Sequence, residues 1–244
     1  MRKYPETPHP FIIVPPLEKK RYYEAGEKLN FGLVLVGKAI EYLPYFIFTF
    51  QELGNIGIGK KKGKFSLSKV HGSDSNDQET IIYDAGQSKI VNLPQVKFPF
   101  RENNGQRNEQ QLTLNFLTPV RVKYEGSLGT QLDFHVLIRN LLRRISTLAY
   151  FHCDEDQSSI DFKGLIQKAK EIRIARNGLR WYEWERYSAR QDTRMNMGGF
   201  VGKITYEGNL SEFIPFIEAG ELVHVGKGTS FGLGKFELHC EEVN

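Results

Sequence analysis

The chain has 244 residues, of which 40% are hydrophobic and 25% are charged, and its formal net charge is only +4. This composition is ordinary for a globular protein with one large or two small domains. Because the net charge is small, any nucleic-acid surface must come from local clustering of cations. The two cysteines have no metal-ligand spacing and provide no disulfide framework. Since the sequence contains neither a signal-peptide core nor an apolar run of about 18 residues, we expect a cytoplasmic protein without a membrane span.

The first half of the chain predicts short strands around one helix. Apolar segments predict strands at 11–14, 29–36 and 64–70, and the apolar and aromatic segment 40–53 predicts a helix. A glycine-rich loop at 54–64 follows this helix and contains four lysines, namely Lys60, Lys61, Lys62 and Lys64. Glycines and lysines together suit contact with an anionic backbone, whereas a solvated charged loop is the ordinary alternative.

The second half shows a clearer alternation of strands and helices. Apolar residues at spacings of three and four predict a long helix at 133–151, after a strand at 112–124. Asn177-Gly178 predicts a hairpin turn between two strands, and Gly220 is predicted to end a late helix that begins near Leu210. The other predicted elements of this half are a helix at 160–170 and strands at 172–174, 179–188, 200–206, 222–225 and 231–238.

The segment 221–238 is the most informative part of the sequence. Four glycines alternate there with lysines, hydroxyl residues and an aromatic residue. Because glycine lets a backbone approach another molecule closely, and lysines attract anions, we predict a phosphate-rich partner for this loop. The residues assigned to this contact are Gly226, Lys227, Gly228, Thr229, Ser230, Phe231, Gly232 and Gly234.

The order of elements predicts the fold. In the second half the order is strand, helix, strands, strand, helix, strand, which is the βαββαβ order of a ferredoxin-like domain. The first half is compatible with a looser copy, so we predict an α+β protein with two tandem ferredoxin-like (RRM-like) domains at 1–112 and 113–244. A cleft lined by cations between two such domains would suit RNA.

Four groups of segments form a pattern that extends over most of the chain. They are Pro8-His9-Pro10-Phe11 with Pro15-Pro16; Leu43-Pro-Tyr-Phe46 with Leu53-Gly54 and Gly57–Phe65; Phe116-Leu-Thr-Pro119 with Leu141-Leu-Arg-Arg-Ile145; and Trp184-Glu-Arg-Tyr-Ser188 with Arg190-Gln191, Gly198-Gly199-Phe200 and 221–238. This pattern resembles the CRISPR-associated endoribonucleases of the RAMP superfamily, which process precursor RNA. The last group is the most specific of the four.

This resemblance implies two ferredoxin-like domains and cleavage of CRISPR repeat RNA without a metal or another cofactor. The ribose 2′-OH would attack the adjacent phosphate and leave a 2′,3′-cyclic phosphate and a 5′-OH. Such a reaction needs a base, an acid and a cation that stabilises the developing charge. The implied partners are repeat RNA or its product crRNA, and other CRISPR effector subunits, with the protein itself a monomer or a homodimer.

The catalytic candidates are three histidines and one tyrosine. His224 comes first because it directly precedes the glycine-rich loop, followed by His9, which two prolines flank, and by His152 at the end of the long helix. Each histidine also has an ordinary structural explanation. Relatives often carry their general base as a histidine near the first helix, but 40–53 contains none, and Tyr42 is the candidate there for positioning the 2′-OH.

The remaining candidates are cations that would hold RNA. Arg139, Arg143 and Arg144 are predicted on the polar side of the long helix, where a purely solvated face is the alternative. A second set, Arg186, Ser188 and Arg190, alternates along a predicted strand. The same surfaces fit a second function class, in which a non-catalytic RAMP subunit holds processed crRNA within an interference complex.

Overall fold

The computed structural model describes residues 7–18, 20, 22–59, 61–73, 79–87, 89–90, 110–124, 127–128, 132–155, 160–188 and 193–239. The strands in these ranges are β1 (Phe11–Val14), β2 (Gly32–Leu35), β3 (Lys69–Ser73), β4 (Glu79–Asp84), β5 (Lys89–Ile90), β6 (Gln111–Val120), β7 (Lys123–Tyr124), β8 (Ser127–Leu128), β9 (Arg173–Asn177), β10 (Arg180–Tyr182), β11 (Glu185–Ser188), β12 (Thr193–Asn196), β13 (Gly199–Glu207) and β14 (Phe236–His239). The α-helices are α1 (Leu43–Ile56), α2 (Phe134–His152), α3 (Phe162–Ala169) and α4 (Ile214–Val223), and short 3-10 helices cover Gly37–Tyr42, Ser211–Phe213 and Thr229–Phe231. None of the helices in the described ranges has both the length and the apolarity to cross a membrane.

The chain forms two compact units, of which the larger is not continuous in sequence. The larger unit combines Met1–Gly37 with Phe100–Asn244, and the smaller unit is Lys38–Pro99. The N-terminal hairpin of β1 and β2 therefore belongs with the second half of the chain. The division into domains at 1–112 and 113–244, which the sequence suggests, stays a prediction.

The main sheet of the larger unit has the order β14–β6–β13, followed by β9 and β10, which both pair with β13. All of these pairs are antiparallel. Along the chain, this sheet order is fourth, first, third and second strand, with α2 after the first strand and α4 after the third. This arrangement is the ferredoxin-like βαββαβ topology, and it confirms the prediction for the second half.

Aromatic side chains fix α2 against this sheet. The ring of Phe134 lies 4.9 Å from the ring of Tyr206 and 5.1 Å from that of Phe213, both edge-on. The Tyr206 hydroxyl donates a hydrogen bond of 2.7 Å to the carbonyl of Leu132, so this buried polar group has a partner. The apolar face predicted for 133–151 thus becomes the centre of the core, which includes Leu137 and Leu141.

The predicted hairpin turn at Asn177-Gly178 is wrong. The two strands on either side of it, β9 and β10, run in the same direction along β13 and do not pair with each other. Gly178 N donates to the Lys203 carbonyl, and a Cβ atom at Gly202 would lie 2.8 Å from Gly178 O. The Asn-Gly pair therefore forms an irregularity inside a long edge strand, where two glycines let the backbones approach closely.

Gly220 does not end the last helix, as the sequence suggested. Helix α4 continues to Val223, so the predicted strand at 222–225 is largely helical. A Cβ atom at Gly220 would lie 2.6 Å from Leu141 Cδ2 and 2.8 Å from Phe236 Cζ. This glycine is therefore required by tight packing of α4 against α2 and β14, not by helix termination.

The smaller unit consists of α1 and a sheet of β3, β4 and β5 in that order. Helix α1 has a proline in its first turn, as predicted, and buries Leu43, Ile47 and Gly54 on one side. The Gln51 amide donates a hydrogen bond of 2.7 Å to the Tyr83 hydroxyl of β4. The helix predicted at 40–53 is confirmed, with its α-helical part displaced toward the C-terminus because 37–42 is 3-10 helix.

Candidate functional site

The glycine loop, defined as residues 226–234, is tied to the end of strand β6. Lys227 N donates to the carbonyl of Arg121 at 2.9 Å, and Gly234 N donates to that of Pro119 at 3.0 Å. The Thr118 hydroxyl donates a hydrogen bond of 2.7 Å to the Gly232 carbonyl. The loop is therefore anchored to the sheet along its whole length.

The glycines of this loop approach the protein itself. Gly234 has a φ of +70°, and a Cβ atom there would lie 1.8 Å from the carbonyl oxygen of Val225. A Cβ atom at Gly232, whose φ is +81°, would lie 2.3 Å from Pro15 Cδ. Glycine is therefore required at these two positions by the packing of the chain on itself, since side chains there would collide with the chain's own backbone and with Pro15. This requirement explains the two glycines without a contact with RNA.

The remaining loop residues differ in what they present to solvent. Lys227 and Phe231 are exposed, whereas Thr229 is buried. Gly226, Gly228 and Ser230 are half-buried. A partner that contacts this loop therefore meets mainly one lysine and one aromatic ring, and the proposed contact by the other members rests on sequence alone.

His224 lies behind the glycine loop and not on its surface. The residue is 1% exposed, and its Nδ1–H donates a hydrogen bond of 3.2 Å to the carbonyl of Leu233. Burial lowers the pKa of His224 to about 4, opposed by this hydrogen bond and assisted by the charges of Lys235 and Arg144. The first catalytic prediction is therefore contradicted in this conformation, because a buried neutral imidazole does not reach a bound RNA.

Arg144 is also turned inward. Its Nε donates a hydrogen bond to the carbonyl of Val223, the last residue of α4, and desolvation lowers the pKa of its guanidinium to about 10. Its Nε serves the end of α4, and its buried Nη2 has no hydrogen-bond partner among the described residues, so Arg144 does not share the exposed face of Arg139 and Arg143. A phosphate contact by Arg144 stays a prediction. Arg139 and Arg143 are exposed on α2, as the helical spacing predicted.

His9 and His152 are brought to one place in the larger unit. The Nε2–H of His152 donates a hydrogen bond of 2.8 Å to the carbonyl of Pro8, the residue before His9. His9 itself is exposed, and its ring lies 5.5 Å from the ring of Phe11. A Cβ atom at Gly37 would lie 2.0 Å from the carbonyl oxygen of His152, so the N-terminal hairpin also packs against the end of α2.

The lysine turn, defined as residues 57–59 and 61–64, follows α1 in the smaller unit. Ile58 and Gly63 exchange backbone hydrogen bonds of 2.9 and 2.8 Å, which close a tight turn. Lys61, Lys62 and Lys64 are all exposed. Their prediction as a cationic surface fits this geometry, while Lys60 lies outside the described residues.

The other sequence candidates are dispersed. Tyr42 is 57% exposed in the smaller unit, with its ring 6.1 Å from that of Tyr45. Arg186 and Ser188 lie in β11, opposite Met195 and Thr193 of β12, and Arg190 lies outside the described residues. Over the part of the chain that is described, no three His, Cys, Asp or Glu side chains come together as metal ligands would.

The second half of the chain matches a family model. The model of the CRISPR-associated endoribonuclease Cas6 family covers residues 114–236, which is 123 of the 244 residues, and this range includes the glycine loop. The chain belongs to the Cas6 endoribonuclease family. A second model, AF_1859_N, an N-terminal domain, matches residues 1–95. No curated protein matches the sequence.

Solved Cas6 structures share this fold at low sequence identity. A product complex of Cas6 (TTHB231), a Thermus thermophilus protein, has a TM-score of 0.59 and 16% identity, over 97% of this chain and 83% of that chain. A product complex of Cas6 (TTHA0078) has a TM-score of 0.51 and 14% identity, over 96% and 84% of the two chains. A chain of a partial Cas6-RT-Cas1–Cas2 complex has a TM-score of 0.56 and 15% identity, over 95% of this chain and 39% of that chain. The fold is thus that of Cas6, with two ferredoxin-like domains.

One cation beside the Cas6 glycine loop was missed from the sequence. The Arg121 Nη1 donates a hydrogen bond of 2.7 Å to the carbonyl of Asn196, and the Arg121 carbonyl accepts the bond from Lys227. Arg121 thus joins the glycine loop, through its backbone carbonyl, to the end of the β11–β12 hairpin, through its guanidinium. Only the pairing of β6 with β13 and β14 brings these segments together, so no local sequence signal could have indicated it.

Proposed function

We propose that this Cas6-family protein cleaves repeat RNA within CRISPR precursor transcripts and does so without a metal ion. The ribose 2′-oxygen attacks the adjacent phosphorus, the bond from phosphorus to the 5′-oxygen breaks, and the products carry a 2′,3′-cyclic phosphate and a 5′-OH. The observation that carries the proposal is the match of residues 114–236 to the Cas6 endoribonuclease family. The reaction requires removal of the 2′ proton, protonation of the 5′-oxygen and a cation near the phosphate.

His9 is the histidine best placed for proton transfer. It is exposed, so a bound RNA can reach its imidazole. His152 acts as a positioning residue, because its hydrogen bond to Pro8 holds the segment that carries His9. Tyr42 remains the candidate that orients the 2′-OH, and His224 shapes the glycine loop from behind without touching the substrate.

Each unit, taken by itself, has exposed cations that can bind phosphates. The lysine turn contributes Lys61, Lys62 and Lys64, and the glycine loop contributes Lys227. Arg139 and Arg143 of α2 add two guanidinium groups. Such contacts predict an affinity for RNA that falls steeply as the salt concentration rises.

The test is a cleavage assay in EDTA with the cognate repeat RNA. Cleavage is expected in EDTA, with a 2′,3′-cyclic phosphate on the upstream product, and an RNA that carries a 2′-deoxyribose at the cleavage site should bind but stay intact. His9→Ala should slow cleavage by about 10²- to 10⁴-fold with little change in affinity. His71→Ala is the control, because His71 is an exposed histidine on β3, in the smaller unit. Wild-type cleavage by His9→Ala would refute the role of His9, and cleavage that needs a divalent metal would refute the mechanism.

A second function is favoured by the burial of His224 and by the absence of histidine from α1. In this alternative, the protein binds repeat RNA or processed crRNA and does not cut it. The same assay separates the two functions. Tight, salt-sensitive binding with intact RNA, with and without added divalent metal, would identify a binding subunit.

A further inference from the structure

Helix α1 carries aromatic side chains on its solvent-exposed side. Tyr45 is 70% exposed and Phe48 is 61% exposed, and Tyr42 precedes them at the helix start with 57% exposure. Leu43, Ile47 and Gly54 fill the opposite, buried side. Polar residues normally occupy the outer side of such a helix, so a row of exposed rings calls for a partner. We call Tyr42, Tyr45 and Phe48 the aromatic face.

The neighbouring charges indicate an anionic partner. The lysine turn begins directly after α1, and its exposed Lys61, Lys62 and Lys64 have no acidic residue near them in sequence, since 53–73 contains no Asp or Glu. Glu52 is the one acidic residue within α1, and it is exposed. Planar rings followed by a group of cations form the combination that binds unpaired nucleotides, by stacking on bases and pairing with phosphates.

The size of the aromatic face argues against a second copy of the chain as its partner. An aromatic side chain buries about 150–250 Å² when fully covered, and since these three are only 57–70% exposed, they can bury about 280–470 Å² more together. Each partner of a standard protein interface contributes about 800 Å². Cations that follow the rings would also repel the same cations of a second copy, whereas they attract RNA.

We propose that the aromatic face of α1 stacks unpaired bases of the repeat RNA while the lysine turn binds the phosphates of the same strand. This inference rests on the proposed function, because it assigns part of the RNA to the smaller unit. It adds a base-stacking site, at Tyr45 and Phe48, to the phosphate contacts. The strand bound there is single-stranded, because bases inside a duplex cannot stack on protein rings.

The test measures binding of a single-stranded repeat RNA to variants that keep an apolar side chain but lose the ring. Tyr45→Leu and Phe48→Leu should each weaken binding about tenfold, whereas Phe48→Tyr should bind like the wild type. Tyr22→Leu is the matched control, because Tyr22 is 82% exposed and lies outside α1. An RNA that contains 2-aminopurine should lose fluorescence on binding to the wild type at one or more positions, and Phe48→Leu should restore it.

The outcomes separate this inference from the proposed function. Full-strength binding of repeat RNA by both leucine variants, with unchanged quenching, would overturn the aromatic face as a stacking site and leave RNA processing intact. A change of oligomeric state in those variants, with unchanged RNA binding, would reassign the face to a protein contact. If the wild type itself does not bind repeat RNA, the proposed function and this inference fail together.

Glu52→Gln offers a gain of function as a second test. Glu52 lies four residues after Phe48 and four before Ile56, hence on the same side of α1. If a phosphate backbone runs from the rings to the lysine turn, removing this negative charge should raise RNA affinity about two- to fivefold at low salt. An unchanged affinity would exclude a strand that passes along this side.

Discussion

The glycine loop and the lysine turn look alike in sequence but differ in structure. Both combine glycines with lysines, yet the glycine loop is anchored to β6 and presents mainly Lys227 and Phe231 to solvent. The lysine turn is closed by local backbone hydrogen bonds, namely the Ile58–Gly63 pair and a bond from Lys62 N to the Gly59 carbonyl, and its three described lysines are all exposed. The comparison teaches that glycine content alone does not identify a phosphate-binding loop.

The two segments therefore have different roles in the same protein. In the glycine loop, glycine permits close packing of the chain on itself, and buried His224 and Arg144 stabilise the elements that end there. In the lysine turn, the backbone holds lysine side chains that are exposed to solvent. We expect variants of the first segment to change stability and variants of the second to change RNA binding.

The largest difference should appear on substituting one glycine in each segment. Gly234 and Gly59 have nearly the same φ, +70° and +73°, but only Gly234 has a backbone atom where a Cβ would lie, and Gly59 has nothing within 4 Å. Gly59→Ala should lower the free energy of unfolding by about 1 kcal/mol through backbone strain. Gly234→Ala should lower it by more than about 3 kcal/mol. Equal losses in urea unfolding, followed by circular dichroism, would contradict the distinction.

Acidification should weaken the glycine loop through His224. Its pKa is about 4 when folded, against an ordinary value of about 6.5, so the unfolded chain binds a proton that the folded chain excludes. Stability should fall as the pH drops from about 6.5 toward 4, by about 2 kcal/mol between pH 7 and pH 5 from this group. His224→Asn should remove that part of the pH dependence, since the asparagine side-chain amide has no group that titrates in this range. Parallel curves of unfolding free energy against pH for the two proteins would refute this account.

Charge removal should have the smaller effect, and it should favour the lysine turn. Lys61→Gln, Lys62→Gln and Lys64→Gln combined should reduce the slope of log affinity against log salt by about 2, whereas Lys227→Gln should reduce it by less than about 1. Lys168→Gln is the control, because Lys168 already pairs with Glu212 at 2.6 Å. A larger change from Lys227 than from the three lysines would reverse the assignment of roles.

The parts of the fold that the sequence predicted correctly are those that local patterns determine. The long helix was predicted at 133–151 and lies at Phe134–His152, because its apolar spacing is set within the segment itself. The βαββαβ order followed from the same local signals. Asn177-Gly178 and Gly220 were misread because their roles depend on Lys203, Gly202, Leu141 and Phe236, which come from distant parts of the chain.

The candidate site was harder to predict for the same reason. Exposed Lys61 and Lys62 follow from local charge, and His9, which two prolines flank in the sequence, is exposed. The burial of His224 depends on the fold that closes the loop against Leu233, and the inward turn of Arg144 depends on where α4 ends. No local pattern distinguishes a cation that stays exposed from one that donates its hydrogen bonds to a carbonyl far away in the sequence.

The packing of Pro15 against Gly232 has a consequence for synthesis of the chain. The N-terminal hairpin contacts a loop that is translated more than 200 residues later, so it cannot dock while it first leaves the ribosome. At about 5–20 residues per second, the wait lasts about 10 to 40 s. During that time the N-terminal segment can pack only against the earlier-translated end of α2, near His152, so its docking is completed after the glycine loop has been made.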